Sequence, residues 1–319
     1  MGTVASWSHL VPGTPPGQLG TAPTFGRATI RPPRNRSIAI DLVSHTAFSH
    51  QHPTGPHPES QQRLAVLQHH FPFVECGPAR IDDVLRCHTP ELVRQIQTTN
   101  GLLDADTVCT ATTFDAALLA AGGAIEAAQR GGFALARPPG HHAERDRAMG
   151  FCIFGSIAIA ARWAQANLGF ERVAIVDWDV HHGNGTQDLV ADDPTILFAS
   201  LHQWPFYPGT GGPYEQGETL VNIPVPAGTG DDAYLEAWET VERAVRRFAP
   251  DLLLVSCGFD AHVEDPLADL ELSTGCFREL AARATQLAPR VAAVLEGGYN
   301  LRTLPWLVEA ALEGFDANS

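Results

Sequence analysis

Two acids and a histidine stand at alternating positions at the end of the apolar run 172–177 in this chain of 319 residues. Asp177, Asp179 and His181 point to one face if the segment is extended, because side chains alternate along an extended chain. Asp260 follows a second apolar run and can join Asp179 and His181 on one metal. One imidazole and two carboxylates leave a position open for water, as catalytic zinc sites do, and they also accept Fe²⁺. An isolated Asp-x-Asp is usually a solvated turn, but the Asp after a second strand favours a metal site here.

Two other segments carry groups suited to proton transfer and to oxyanion binding. His141 and His142 follow a Pro-Pro-Gly turn, and a neutral imidazole near a metal is a natural general base. Tyr299 follows a Gly-Gly pair, and its phenol can donate to a developing oxyanion. Taken alone, the first motif fits surface histidines or metal ligands, and the second fits a packing tyrosine.

Short apolar runs alternate with helical stretches, and this pattern positions the polar groups. Continuous apolar strands predict a parallel sheet, and their alternation with helices predicts a doubly wound α/β fold. Ligands of such sheets bind beyond the carboxyl ends of the strands, where all four polar segments stand. The predicted strands are 37–41, 133–136, 172–177, 196–201, 252–256 and 291–296. The predicted helices are 116–129, 156–166, 234–248 and 276–287.

Composition limits the class of protein. The formal net charge of −15 argues against a nucleic-acid partner, because phosphate contacts need Lys and Arg. The sequence predicts neither a membrane span nor a secretory signal. Residues 1–36, rich in Pro, Gly and Thr, predict a flexible or loosely packed extension, and 37–319 predict one domain.

Six cysteines without a Cys-x-x-Cys pair indicate reduced core residues of a cytoplasmic protein: Cys76, Cys87, Cys109, Cys152, Cys257 and Cys276.

Together these segments resemble the histone deacetylase family, especially its class II and bacterial amidohydrolase branch. The matching stretches are ARPPGHHAERDRAMGFC, VDWDVHHGNGTQD, ASLHQWPFYPGTG, SCGFDAHVEDPLADL and LEGGYNL. His57-Pro58-Glu59 with Arg63-Leu64 resembles the N-terminal motif of that family. The likeness extends in chain order over about residues 38–305, and the combination of five stretches is highly specific.

The resemblance implies an arginase/deacetylase-like fold, with a largely parallel sheet of roughly eight strands and helices on both faces. It also implies a zinc-dependent deacetylase or amidohydrolase that acts on linear amides. The implied residues are the zinc ligands Asp179, His181 and Asp260, the catalytic dyad His141 and His142, and the transition-state tyrosine Tyr299.

Two residues are implied as partners of the dyad, Asp177 beside His141 and Asn184 beside His142. Asn184 stands where some relatives have Asp. A neutral amide stabilises an imidazolium less than a carboxylate does, so we expect lower dyad pKa values than in those relatives. The resemblance also implies a structural potassium ion, with the inner site lined by Asp177, Asp179, His181, Ser200 and Leu201.

The implied substrate channel is lined by Gly140, Phe151, Tyr207 and Leu267. Tyr207 replaces a phenylalanine common on the channel wall, which makes the channel more polar. Leu267 is apolar where polyamine-specific relatives carry an acid, which favours an acylated lysine peptide or protein, or a general acylated small amine. Acidic residues near the expected rim keep open the alternative of an acetylpolyamine amidohydrolase or another small-molecule deacylase: Asp104, Asp106, Glu264 and Asp265.

Two interpretations from other classes compete with the deacylase. An arginase-like manganese ureohydrolase needs more carboxylate and His ligands, for two ions about 3.5–4 Å apart. A catalytically inactive module that binds acylated lysine would have lost ligands or the tyrosine, and Asp179, His181, Asp260 and Tyr299 are all present. Nothing in the sequence indicates an oligomeric state.

Overall fold

The computed structural model describes residues 40–317, and its centre is an eight-stranded sheet in which every neighbouring pair of strands is parallel. A separate antiparallel pair is formed by β3 (Gly101–Leu102) and β4 (Val108–Cys109). The strands of the large sheet are β1 (Leu42–Ser44), β2 (Val74–Glu75), β5 (Phe133–Ala134), β6 (Val173–Asp177), β7 (Ile196–Gln203), β8 (Leu220–Val225), β9 (Leu252–Cys257) and β10 (Val291–Leu295). Their order across the sheet is β2-β1-β5-β10-β9-β6-β7-β8.

Helices connect the strands, together with one short 3₁₀ helix at Thr46–Ser49. The α-helices are α1 (Gln61–His70), α2 (Ile81–Val84), α3 (Pro90–Thr98), α4 (Thr113–Arg130), α5 (Ser156–Leu168), α6 (Asn184–Val190), α7 (Asp231–Phe248), α8 (Thr274–Ala284) and α9 (Leu304–Asp316).

Both faces of the sheet are buried, as β6 illustrates. Val173 and Ile175 pack into one hydrophobic cluster and Ala174 and Val176 into the other, because successive side chains leave a strand on opposite faces. Side chains of α3, α4 and α5 cover the sheet in the first cluster, and those of α1, α7, α8 and α9 cover it in the second. Apolar residues at the first four positions of β6, from Val173 to Val176, follow from this two-sided burial, and Asp177 ends the strand.

The predicted α/β sheet with helices on both faces is confirmed, and the strand ends differ by a few residues. The predicted strand 37–41 is wrong where the structure describes it: Ile40 and Asp41 precede β1. Leu42 and Val43 form the strand instead, because they are buried and pair with Phe133 and Ala134 of β5. Residues 1–39 lie outside the described part of the chain, so the predicted N-terminal extension stays a prediction.

Two further sequence expectations concern the cysteines and membranes. All six cysteines lie within the described residues, and each is buried and free of a disulfide. Among residues 40–317, every helix is too short or too polar to cross a membrane.

Candidate active site

Four segments of functional side chains meet at the carboxyl edge of the sheet. The adjacent strands β5, β10, β9 and β6 are parallel, so the residues that follow them lie at the same edge. His141 follows β5, Tyr299 follows β10, Asp260 follows β9, and Asp177 ends β6. The predicted convergence of the four strand ends is therefore found in the structure.

The three predicted metal ligands lie together, with one ligand atom of each within 4.8 Å of the others. His181 Nδ1 is 3.2 Å from Asp179 Oδ1 and 3.2 Å from Asp260 Oδ2. The side chains of Asp179 and Asp260 are fully buried. Buried carboxylates are normally paired or coordinate a metal, and here two of them share one imidazole.

The electrostatics of this group favour positive charge at its centre. Burial disfavours the charged ring of His181, but hydrogen bonds and attraction from Asp179 and Asp260 outweigh it and raise the pKa of His181 to about 9. Backbone N–H groups hold the two acids: that of Gly297 donates to Asp179 Oδ2 at 2.8 Å, and that of Val180 donates to Asp260 Oδ1 at 3.0 Å. Two oxygens and a nitrogen converging on one point fit a divalent cation.

Glycines make room for the two carboxylates. A Cβ atom at Gly297 would overlap the carboxylates of both Asp260 and Asp179, and one at Gly258 would overlap Asp179. These glycines allow the backbone of the segments after β9 and β10 to approach the acids closely. The first glycine of the Gly-Gly pair before Tyr299 therefore leaves space for the two carboxylates, so the pair does not serve Tyr299 alone.

His141 and His142 are buried and adjacent, with ring centroids 4.0 Å apart. His141 Nδ1 lies 3.0 Å from Asp177 Oδ2. Burial disfavours the charged ring of His141, but Asp179 and Asp177 outweigh it and raise its pKa well above the ordinary value.

His142 has the opposite environment, because its Nδ1 faces a neutral amide, Asn184 Oδ1, at 2.7 Å. Burial, reinforced by positive charge at His141 and His181, holds the pKa of His142 well below its ordinary value. Paired titratable groups whose environments separate their pKa values are typical of acid–base sites. The two expected partners, Asp177 and Asn184, both contact the predicted histidine.

Tyr299 has both its backbone and its ring fixed. Its N–H donates to Asp265 Oδ2 at 2.7 Å, and the Arg63 guanidinium lies 5.0 Å from its ring centroid. Burial raises the pKa of the Tyr299 phenol well above its ordinary value. The hydroxyl therefore keeps its proton near neutral pH and can act as a donor.

Aromatic rings surround the dyad and Tyr299. Phe151 contacts the Tyr299 ring edge to face at 5.9 Å between centroids, and Tyr207 contacts the His142 ring at 5.2 Å. Phe206 stacks on His181 at 5.3 Å. These three rings form an aromatic lining that suits a narrow apolar chain.

The other two predicted channel residues occupy different places. Gly140 is buried, and a Cβ there would meet the backbone of Phe154 and Ser156 at 2.7 Å. Leu267 is half-buried, and its N–H donates to Asp265 Oδ1 at 3.1 Å. Because Asp265 also holds Tyr299, the Leu267 segment is tied to the site through that acid, whereas its role at the channel stays a prediction.

The predicted potassium residues lie at or just after the end of β6 and within the neighbouring strand β7. Ser200 on β7 is in register with Asp177 on β6. The carbonyl of Leu201 accepts a hydrogen bond from the Tyr234 hydroxyl at 3.0 Å. The structure thus brings Asp177 and Ser200 side by side, and the ion itself stays a prediction.

An ion cluster beneath Tyr299 was only partly visible in the sequence. Glu59 accepts from Arg137 Nε at 2.9 Å and from Arg137 Nη2 at 2.8 Å, and Arg63 Nη1 lies 3.4 Å from it. Arg63 also donates to the carbonyl of Gly298 at 2.8 Å. Glu59 and Arg63 belonged to the quoted His-Pro-Glu motif, whereas the contact with Arg137 spans 78 residues and left no local signal.

A second group of possible ligands also escaped the sequence analysis. His141, Cys152 and Glu296 each have a ligand atom within 4.8 Å of the others. Glu296 Oε2 accepts from the N–H of Gly140 at 2.7 Å, while its Oε1 has no hydrogen-bond partner within residues 40–317. Cys152 and Glu296 belong to two of the quoted stretches, but neither residue was identified from the sequence as a candidate ligand or catalytic group.

Comparisons with known proteins bear on this geometry. A family model described as "Histone deacetylase domain" matches residues 57–315. The chain is 39% identical over 318 residues to a "Probable deacetylase" of Archaeoglobus fulgidus, covering 88% of each chain. It is 38% identical over 285 residues to the "Histone deacetylase-like amidohydrolase" of Pseudomonas aeruginosa, covering 80% of this chain and 75% of the relative. The crystal structure of the HDA15 HD domain superposes with a TM-score of 0.81 at 32% identity, covering 89% of this chain and 90% of that one.

Proposed function

The chain belongs to the histone deacetylase family of hydrolases and has its fold, and we propose that it hydrolyses the amide bond of an acetylated or similarly acylated lysine. One observation carries the proposal: the triad Asp179, His181 and Asp260 converges beside two histidines whose pKa values are shifted in opposite directions. We assign the catalytic domain to residues 37–319, of which residues 57–315 match the family model.

Asp179, His181 and Asp260 would hold one divalent ion, either Zn²⁺ or, with the same ligands, Fe²⁺. Such an ion polarises a carbonyl as a Lewis acid and lowers the pKa of water toward about 7. The carboxylates of Asp179 and Asp260 also accept hydrogen bonds from backbone N–H groups. These contacts fix the carboxylates in place.

His142 is the group suited to take the proton of the attacking water. Its low pKa and the amide oxygen of Asn184 at Nδ1 keep the ring neutral, with an unprotonated Nε2. His141 is held by Asp177 and favours the charged form. His142, assisted by His141, then returns a proton to the leaving amine.

Tyr299 is the proposed donor to the amide oxygen as negative charge develops there. Its phenol is protonated near neutral pH, and Arg63 and Asp265 restrict its ring and backbone. A donor fixed in advance stabilises an oxyanion more than one that must reorient.

A structural potassium ion is proposed at the backbone and side chains of five residues that lie at or just after the end of β6 and within β7. This proposal is supported by the pairing of β6 with β7, which places Asp177 opposite Ser200. These residues are Asp177, Asp179, His181, Ser200 and Leu201.

The substrate class follows from the aromatic walls. Phe151 and Tyr207 contact Tyr299 and His142 respectively, which suits a linear acyl-amine such as acylated lysine in a peptide or protein. Leu267 offers no acid to a distant ammonium group, which disfavours an acetylpolyamine. Asp104 and Asp106 keep that alternative open, because both lie close enough to Tyr207 for their negative charge to add to burial in raising the pKa of its phenol.

A kinetic panel tests this proposal. The zinc-loaded enzyme is assayed on an acetyl-lysine peptide, on longer acyl-lysine peptides and on acetylated polyamines, with release of the acid measured. We expect kcat/KM to be highest for an acyl-lysine peptide. Higher kcat/KM for acetylpolyamines would reassign the substrate class, and no turnover of any amide would refute the proposed hydrolysis.

A further inference from the structure

The side-chain amide of Asn184 is held between the dyad and an acid that lies farther from the site. Asn184 Oδ1 is 2.7 Å from His142 Nδ1. On its other side, Asn184 Nδ2 donates to Glu144 Oε1 at 2.7 Å and to the sulfur of Met149 at 3.4 Å. Every polar atom of this buried amide therefore has a partner.

We propose that Glu144 is a positioning residue, which sets the orientation of the Asn184 amide and through it the tautomer of His142. The inference deepens the proposed function, because it concerns the histidine that takes the proton of the attacking water. Glu144 does not touch the dyad, and it acts only through Asn184.

The direction of the hydrogen bonds follows from the chemistry of the carboxylate. Glu144, ion-paired with Arg147, has only acceptor oxygens, so the Asn184 amide must point its NH₂ group toward it. The reversed amide would set Asn184 Oδ1 against Glu144 Oε1 at hydrogen-bond distance, where two acceptors repel. Asn184 Oδ1 therefore faces His142, and the neutral ring must carry its proton on Nδ1 and leave Nε2 free as the base.

Glu144 is itself fixed by contacts that do not involve the dyad. Arg147 pairs with Glu144 Oε2 at 2.9 Å. His88 Nδ1 donates to the Glu144 carbonyl at 2.9 Å, and His88 Nε2 accepts from the Gly155 N–H at 2.8 Å. The residue that aims Asn184 is thus held at both its backbone and its carboxylate, although 24% of its side chain is exposed.

The same contacts explain why position 184 carries an amide in this chain. An Asp at 184 would place a second carboxylate against Glu144 Oε1, where like charges repel. A glutamine at 144 would remove the repulsion and present an NH₂ donor to that Asp. The effects of Asn184→Asp and Glu144→Gln on turnover must therefore be coupled.

The experiment measures kcat and KM of zinc-loaded variants on an acetyl-lysine peptide. We expect Glu144→Ala to lower kcat about 10- to 100-fold, the usual effect of losing a residue that orients a catalytic group, with little change in KM. Glu144→Gln keeps an acceptor oxygen and loses less. Arg147→Ala removes the ion pair at Oε2, which helps to hold the carboxylate, but keeps the hydrogen bond from Asn184 to Oε1, so we expect a smaller loss of kcat than in Glu144→Ala, about 2-fold.

The coupled variants give the sharper result. We expect Asn184→Asp to lower kcat about 10-fold or more, and Asn184→Asp/Glu144→Gln to recover most of that loss. Equal losses from Asn184→Asp in the wild-type background and in the Glu144→Gln background would overturn the inference, as would an unchanged kcat in Glu144→Ala.

A readout without turnover separates this inference from the proposed function. In the zinc-loaded wild type, ¹⁵N NMR of the His142 ring should show a protonated Nδ1, and Glu144→Ala should mix the two tautomers. A wild type with protonated Nε2 on His142 would contradict the role of Glu144 even if the enzyme is active. An inactive wild type with protonated Nδ1 would refute the deacylase and leave the tautomer assignment standing.

Discussion

At the scale of single residues, opposite environments give two neighbouring histidines different chemistry. His141 faces the carboxylate of Asp177, and His142 faces the amide of Asn184. The sequence predicted the two histidines, their partners and Tyr299, since these residues stand in dense local motifs. The role of Glu144 was not predicted, because its contact with Asn184 spans 40 residues and a Glu in a polar segment is typical of the protein surface.

Replacing Tyr299 tests the oxyanion donor. We expect Tyr299→Phe to lower kcat roughly 10²- to 10³-fold, the usual loss when one such donor is removed. The ring and its contacts with Phe151 and Arg63 are kept, so zinc content and thermal stability should not change. An unimpaired variant with full zinc would refute the assigned role.

Replacing Gly297 tests the close approach of backbone to the metal ligands. The added Cβ of Gly297→Ala would overlap the carboxylates of Asp179 and Asp260, so we expect zinc to fall well below one ion per chain. Gly77→Ala is the control, since its Cβ would meet no atom within 4 Å. The measurement is metal content after gel filtration, and full zinc in Gly297→Ala would contradict the geometry described here.

At the scale of elements, the sheet was predictable where burial is continuous. β6 and β9 are buried at every position and were found from their apolar runs. The edge strand β8 was missed, because it is only partly buried and contains Pro224, which edge strands tolerate. An ion cluster joins the start of α1 to the segments after β5 and β10. Local sequence patterns could not predict it, because its partners are far apart in the chain.

Glu59 is the centre of that cluster, and its removal should destabilise the fold. Glu59→Gln leaves Arg137 and Arg63 buried without their anion, and we expect a loss of about 3–5 kcal/mol in the free energy of unfolding. Glu91→Gln, in the exposed Arg94 pair, is the control and should cost less than about 1 kcal/mol. The check is urea unfolding at neutral pH, and equal losses in the two variants would contradict this account.

At the scale of the whole molecule, buried neutral histidines make the fold sensitive to acid. Burial lowers the pKa of His52, His88 and His202 to about 4, from an ordinary value of 6.5. Because the unfolded chain binds these protons more readily, their stabilisation is complete above pH 6.5 and is lost as the pH falls toward 4.

The loss between pH 7 and pH 5.5 should be about 1 kcal/mol for each of the three histidines in the free energy of unfolding. His88→Gln should weaken the pH dependence by about that amount, because glutamine does not titrate. His69→Gln, at an exposed position, should leave it unchanged. Urea unfolding of the wild type and both variants at the two pH values measures the effect, and a pH dependence of His88→Gln equal to that of the wild type would contradict it.

The central claim is that acyl-amide hydrolysis depends on one divalent ion held by Asp179, His181 and Asp260. The most direct test is acetate release from an acetyl-lysine peptide, measured as zinc is titrated into metal-stripped wild type and Asp179→Ala. We expect wild-type activity to rise until one zinc is bound per chain and the variant to bind no stoichiometric zinc and stay inactive. Full wild-type activity without metal, or stoichiometric zinc and turnover in Asp179→Ala, would contradict the account.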